Sequence, residues 1–346
     1  MALHGGTWSG PCADMRQFKI LLVGTGSIGI RHLKNLSLLS QQDFIAFRSQ
    51  QTPAKYSFGD ITVRTHFDLE TALREEPDIA VIANPTSFHI PIAQAAAEHG
   101  CHFFLEKPVS NNFDGVEKLR AEVQRRGLIA GVGYNLRFHP GMQMLREKLR
   151  ANVIGEVLSV RAWAGQYLPD WHPGEDYRKG YMASSRLGGG VILTLSHELD
   201  YLYWLFGEVY EVTAVTARAS NLEMETESLA EITLRFKSGI LGQVHLDCIR
   251  RDSKRGCEVI GAEGTVCLDL IESEIRIYRG SVTKPEIINV PLINSNQTYF
   301  DELHDFLTAV QESRPALIPL EQGIAVLQIA LASHRAAETG IKQPCH

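Results

Sequence analysis

Hydrophobic and polar positions fall into two textures along the chain. In the first third, short apolar runs are separated by segments with helical spacing. Residues 18–24 (FKILLVG), 44–47 (FIAF), 61–65 (ITVRT), 78–84 (DIAVIAN) and 101–106 (CHFFLE) read as strands, and 127–134 (GLIAGVGY) as a sixth. Unbroken apolar runs of this length mark strands covered on both faces. Residues 28–39 place Ile28, Leu33, Leu36 and Leu39 on one side of a helix. Residues 69–75 and 87–99 read as two more helices, the second stopped by Gly100. Alternation of strand and helix at this spacing implies βαβ units and a parallel sheet.

Past about residue 150 the pattern changes. Residues 156–167 alternate like a half-exposed strand, and 168–190 form a loop rich in Trp, Pro and Gly. Residues 190–207 read as one helix ended by Gly207. The stretch 209–292 carries several alternating strands with turn signals, which predicts an open, mostly antiparallel sheet. Residues 299–311 and 321–338 read as two closing helices, the second expected to return to the first domain.

A length of 346 residues suits two domains. Hydrophobic residues at 44% and charged residues at 21% are ordinary for a globular chain, and a net charge of −6 gives no bulk attraction to nucleic acid or an anionic membrane. The six cysteines include no CxxC pair, so they read as reduced thiols of a cytoplasmic protein. No apolar run is long enough to predict a membrane span, and residues 1–17 read as a loose tail.

Gly24-Thr25-Gly26-Ser27-Ile28-Gly29 matches G-x-G-x-x-G between the first strand and the first helix. Gly24 permits the turn, Gly26 lets the backbone approach a pyrophosphate, and Gly29 lets helix and strand pack closely; the helix N-terminus then meets the anion. The predicted fold class is therefore α/β. A Rossmann dinucleotide-binding domain spans 18–135, and an α/β domain on the open sheet spans 136–338. An acidic residue often ends the second strand to bind the ribose of NAD. Here the strand ends in Arg48-Ser49, which would suit a 2′-phosphate. NAD and NADP both remain open, with a lean to NADP.

Three further segments make the pattern specific. Asn84-Pro85-Thr86-Ser87-Phe88-His89 follows the fourth strand, and Glu106-Lys107-Pro108 follows the fifth. Gly188-Gly189-Gly190 precedes Ser196-His197-Glu198-Leu199-Asp200. With the glycine loop, these resemble the Gfo/Idh/MocA oxidoreductases, the group that includes glucose–fructose oxidoreductase and inositol dehydrogenase. The resemblance covers nearly the whole chain. It implies hydride transfer between a nicotinamide and the carbinol carbon of a sugar, cyclitol or sugar derivative. It places Asn84, Pro85, Thr86 and His89 along the nicotinamide half of the cofactor and Glu106 near its ribose. Lys107 would touch both cofactor and substrate and assist proton transfer, with His197 as its partner.

Members of this family often carry an aspartate ahead of that histidine, where this chain has Thr194. Asp200, one turn after His197, offers an electrostatic substitute or pairs elsewhere. Asn135, His172, Tyr177 and Arg178 lie in segments dense in hydrogen-bonding and aromatic groups, and are the substrate-contact candidates. Neither His172 nor His197 falls in an HxxH or HExxH motif that would support a metal reading, and the family reaction needs no metal. Family analogy also implies a homodimer or homotetramer. Two alternatives stand beside this reading: a non-catalytic NAD(P)-binding sensor or transcriptional regulator, and a reductase of a non-sugar carbonyl.

Overall fold

The computed structural model describes residues 15–39, 42–49, 58–171, 174–280 and 284–345. The first sheet is built from β1 (Lys19–Val23), β2 (Asp43–Phe47), β3 (Val63–His66), β4 (Ile79–Ile82), β5 (His102–Leu105) and β6 (Ala130–Val132). All its pairings are parallel, in the order β3-β2-β1-β4-β5-β6. Between the strands run α1 (Ser27–Leu39), α2 (Leu69–Leu73), α3 (His89–Glu98) and α4 (Val116–Arg126). The sequence reading passed over α4. Its charged surface hides an apolar stripe of Val116, Leu119 and Val123.

Strand order reverses between β1 and β4, so their exits splay apart and leave a crevice. Register then sets what meets there. Val23 pairs with Ile82, Ile82 with Leu105, and Leu105 with Val132. Gly24, Asn84, Glu106 and Gly133 consequently leave the sheet side by side.

After α5 (Pro140–Arg150) comes β7 (Val157–Gly165), and then the helical pair α6 (Val191–Thr194) and α7 (His197–Phe206). The strands β8 (Val209–Ala217), β9 (Leu229–Phe236), β10 (Leu241–Asp247), β11 (Lys254–Gly261), β12 (Gly264–Asp269), β13 (Glu274–Arg279) and β14 (Glu286–Asn289) follow. The chain closes with α8 (Gln297–Glu312), α9 (Leu320–Thr339) and the short β15 (Gln343–Pro344). The second sheet runs β14-β13-β12-β11-β7-β10-β9-β8-β15. It is antiparallel except where β7 lies parallel to β10.

Alternation along β9 puts Ala230, Ile232, Leu234 and Phe236 inside and leaves Glu231, Thr233 and Arg235 outside. The inner face is covered by helices, including α7 on β7 and α9 on β8. The outer face carries Val215, 72% exposed, and Leu241, 52% exposed.

The closing helices tie the two sheets together. Leu303, Phe306 and Leu307 of α8 pack with Ile30, Leu33 and Leu36 of α1 over the first sheet. α9 touches β6 and α4 on one side and β8 and α7 on the other. The last helix thus returns to the first domain as expected, and α8 also joins it there by completing the layer beside α1. Of the expected loose tail, residues 1–14 lie outside the described residues, whereas Arg16 donates its backbone N–H to Gln311 and stacks over Phe18 at 4.4 Å.

One expected helix is two. The run 190–207 breaks at Leu195 and Ser196, where the Leu195 backbone turns to φ −97°, ψ 32°. The apolar pattern continues across the break, so hydrophobic spacing did not reveal it.

Candidate active site

The glycine loop has the shape its sequence requires. Gly24 adopts φ +94°, and a Cβ there would lie 2.7 Å from the Ala83 carbonyl oxygen. A Cβ on Gly29 would fall 2.0 Å from the Gly24 oxygen. Gly26 differs: nothing lies within 4 Å of a Cβ position there, so open space stands over its backbone. Ser27 and Ile28 open α1, whose first turn holds no acidic side chain. Free N–H groups and the helix dipole there favour an anion. The loop therefore fits a dinucleotide pyrophosphate. Arg48 and Ser49 end β2, with the Arg48 N–H bonded to the His66 carbonyl at 3.0 Å.

The turn after β4 is braced to the turn after β5. His89 is 1% exposed, with its ring nitrogens 2.9 Å from the Pro108 oxygen and 2.8 Å from the Asn84 oxygen. Burial holds its pKa below the ordinary histidine value. His89 thus spans the two loops, its single N–H in the neutral ring donating to one of the two carbonyls. Pro85 leads into a short turn holding the buried Thr86. The Asn84 side-chain oxygen is buried without a hydrogen-bond partner among the described residues. Lys107–Pro108 is a cis peptide.

Glu106 is buried and accepts from two directions. His32 Nε2 lies 2.6 Å from Oε1, and the Lys107 N–H is 3.2 Å from Oε2. Burial pushes its carboxyl up, but His32, Lys107 and His89 outweigh that and hold it below the ordinary glutamate value. His32 escaped the sequence reading. Its signal is a polar residue on the apolar stripe of α1, between Gly29 and Leu36.

Lys107 reaches across to the second half of the chain. Its Nζ donates a 2.7 Å hydrogen bond to the backbone carbonyl of Thr194, the last residue of α6. The helix break leaves that carbonyl available. Where the resemblance leads to an aspartate, this chain presents a main-chain oxygen. Asp200 does not substitute for it: Asp200 takes a bidentate pair from Arg137 at 2.9 and 2.6 Å, both side chains fully buried.

His197 opens α7, directly after the break, and is 7% exposed. Its Nδ1 is buried and unpartnered among the described residues. Burial first, then the charges of Lys107 and Arg255, hold its pKa well below 6.5, so the ring is neutral. The Tyr134 ring meets it edge-on at 5.6 Å. Glu198 is tied to Arg255 at 2.8 and 2.9 Å, which anchors α7 on β11. Gly190 begins α6 with φ +98°, and Glu227 accepts the Ile192 N–H at 3.1 Å. Tyr134, Arg137 and Arg255 were not singled out in sequence, because their partners are distant along the chain.

The substrate-contact candidates are spread out. The Asn135 amide is buried and donates to Thr298 on α8 at 2.7 Å. Arg178 is exposed and pairs with Asp176 at 2.7 Å and Glu223 at 3.3 Å. The Tyr177 hydroxyl accepts the Glu223 N–H at 3.1 Å. His172 lies outside the described residues.

Fold and site together define a two-domain protein with a dinucleotide crevice, with Lys107 on the first half and His197 on the second. Comparison with known proteins agrees. Residues 18–134 match the model of the oxidoreductase family with an NAD-binding Rossmann fold, and residues 142–267 match that of the GFO/IDH/MocA C-terminal domain. The chain belongs to the Gfo/Idh/MocA oxidoreductase family. It is 26% identical to a myo-inositol 2-dehydrogenase of Thermotoga maritima, over 92% of this chain and 96% of that protein. It is 25% identical to a UDP-N-acetylglucosamine 3-dehydrogenase of Acidithiobacillus ferrooxidans, over 93% and 98%. A levoglucosan dehydrogenase solved with NADH shares the fold with a TM-score of 0.84 at 19% identity, over 96% of this chain and 100% of that one. No helix among the described residues is long and apolar enough to cross a membrane.

Proposed function

We propose that this chain is a dehydrogenase that moves a hydride between a nicotinamide and the carbinol carbon of a sugar, cyclitol or sugar derivative. Relatives named for inositol and for a nucleotide sugar support that substrate class. The observation that carries the reading is the Lys107–Thr194 hydrogen bond, which joins the E-K-P turn of the first half to the His197 helix of the second.

When bound, the nicotinamide supplies the hydride acceptor or donor. Gly24, Gly26, Ser27, Ile28 and Gly29 hold the pyrophosphate. Asn84, Pro85, Thr86 and Glu106 line the nicotinamide half, and His89 holds their two loops in register. A hydroxyl giving up hydride must also lose its proton to a base within hydrogen-bond reach. The neutral His197 ring takes that proton and returns it in the reverse direction, while the Lys107 ammonium assists by hydrogen-bonding the reacting oxygen and steadying its developing charge. His197 is a neutral imidazole, so it accepts without first losing a proton. The Thr194 carbonyl keeps the Lys107 ammonium aimed at the second domain. Arg48 and Ser49 favour NADP(H), because no carboxylate stands at the end of β2. Asn135, His172, Tyr177 and Arg178 are the proposed substrate contacts.

Val215 and Leu241 stand among Thr213, Thr233 and Gln243 on the uncovered face of the second sheet, the surface through which two copies pair. Buried free thiols at Cys101, Cys248 and Cys257 suit a reducing cytoplasm. The deciding experiment is a cofactor-reduction screen against sugars, cyclitols and nucleotide sugars. Turnover on a member of that panel is expected. Tight cofactor binding with no turnover on any of them would return the reading to a sensor.

A further inference from the structure

α8 carries an acid that the hydride-transfer chemistry leaves unused. Glu302 sits on the buried stripe of the helix, one turn before Phe306, and is 3% exposed. Both its carboxyl oxygens are buried and unpartnered among the described residues. One oxygen from Glu302, one from Glu106 and a ring nitrogen of His32 all lie within 4.8 Å of one another. Three elements therefore bring two carboxyls and an imidazole into one buried cluster.

Two carboxylates in a buried cluster repel and cannot both stay ionised. Glu106 has compensation: the 2.6 Å contact to His32, the Lys107 N–H at 3.2 Å, and the Lys107 charge. Glu302 has no such hydrogen bonds. His32 and Glu106 already satisfy each other across 2.6 Å, so a proton on Glu302 relieves the repulsion without a cation. We propose that Glu302 is a buried carboxylic acid that keeps its proton at neutral pH and serves as a positioning residue, leaving a single negative charge, on Glu106, beside Lys107.

The charged and titratable groups around it are His32 on α1, Glu106 and Lys107 at the exit of β5, and Tyr299 on α8. Arg31 lies over the Tyr299 ring at 4.5 Å. Burial first, then the Glu106 charge, raise the Glu302 carboxyl well above the ordinary 4.5, against the opposing charge of Lys107. A carboxyl raised in the folded state contributes stability that is complete below its unfolded value and is lost as pH rises through the folded value.

The consequence for turnover rests on the role proposed above for Lys107; the proton itself does not. Thermal midpoints of the full chain should be measured from about pH 5 to 9, for wild type and Glu302→Gln, with and without Mn2+ or Zn2+. The amide imitates the protonated acid and cannot ionise. The expected result is an alkaline loss of midpoint in wild type that Glu302→Gln flattens, with no effect of metal. Superimposable profiles overturn the proposal. So does a metal-induced rise in wild type that Glu302→Gln abolishes, which would make the triad a cation site. If Glu302→Gln does not fold, infrared spectroscopy of wild type decides: a protonated-carboxyl band at neutral pH is expected, and its absence overturns the proposal. In kcat/KM, an alkaline decline in wild type should disappear in Glu302→Gln; a decline that persists severs the link to Lys107. Loss of turnover in a Lys107 variant is read separately, so either claim can fail alone.

Discussion

The Lys107 ammonium and the Thr194 carbonyl, 87 residues apart, meet at 2.7 Å. A charge-assisted bond of this kind contributes about 1.5–3 kcal/mol. It forms because α6 ends at Thr194, so no helical N–H competes for that oxygen. The bond fixes the angle between the E-K-P turn and the helix carrying His197. A proline that extended or re-angled the break would misplace both groups, whereas replacing the Thr194 side chain alone leaves the carbonyl in place. Thr194→Val is therefore expected to keep kcat within about threefold, far less than loss of a proton-transfer group costs. A loss beyond about a hundredfold would mean that the hydroxyl, not the carbonyl, does the positioning.

Acid should destabilise the protein through its buried histidines. His89 and His197 both sit below 6.5, with burial the leading cause in each. A depressed folded-state value gives stability that is present above the unfolded value of 6.5 and is lost as pH falls through the folded one. The midpoint of His197→Gln should therefore fall less than that of wild type between about pH 7 and 5. Equal slopes would show that His197 binds its proton equally in the folded and unfolded states, so that burial does not depress it.

The Arg137–Asp200 pair locks the junction between the two halves. Both side chains are fully buried, and Arg137 also donates to Gln322 on α9. Removing one partner strands a charge, so Arg137→Met and Asp200→Asn should each cost about 3–5 kcal/mol in denaturant unfolding. The double variant Arg137→Met/Asp200→Leu should recover part of that loss. Additive losses in the double variant would show that the pair is not energetically coupled.

The proposed preference for NADP rests on Arg48 and Ser49 after β2. Arg48→Ala should raise KM for NADP about tenfold or more while moving KM for NAD little, because a 2′-phosphate loses a charge-assisted bond that a ribose hydroxyl never makes. Equal effects on both cofactors would remove the phosphate role from Arg48.

What sequence revealed follows from how local each signal is. Gly24, Gly29 and the E-K-P tripeptide are marked by backbone demands at strand ends, and parallel register then brings them together. Hydrophobic spacing identified the strands but passed through the break at Leu195, because the pattern stays apolar on both sides. His32 and Glu302 were invisible for a related reason. Each sits on an apolar helical stripe, and its meaning appears only when Glu106 arrives from a third element. Asp200 was open between two roles until Arg137, 63 residues away, was placed beside it.

The central claim is that Lys107, held against Thr194, assists removal of the hydroxyl proton. The most direct test is pre-steady-state cofactor reduction by Lys107→Met on the substrate found in the screen, alongside cofactor affinity by fluorescence. The expected result is a drop in the hydride-transfer rate of about 10²–10⁴-fold with cofactor affinity kept within a few fold. A Lys107→Met enzyme that reduces cofactor at near the wild-type rate would contradict it.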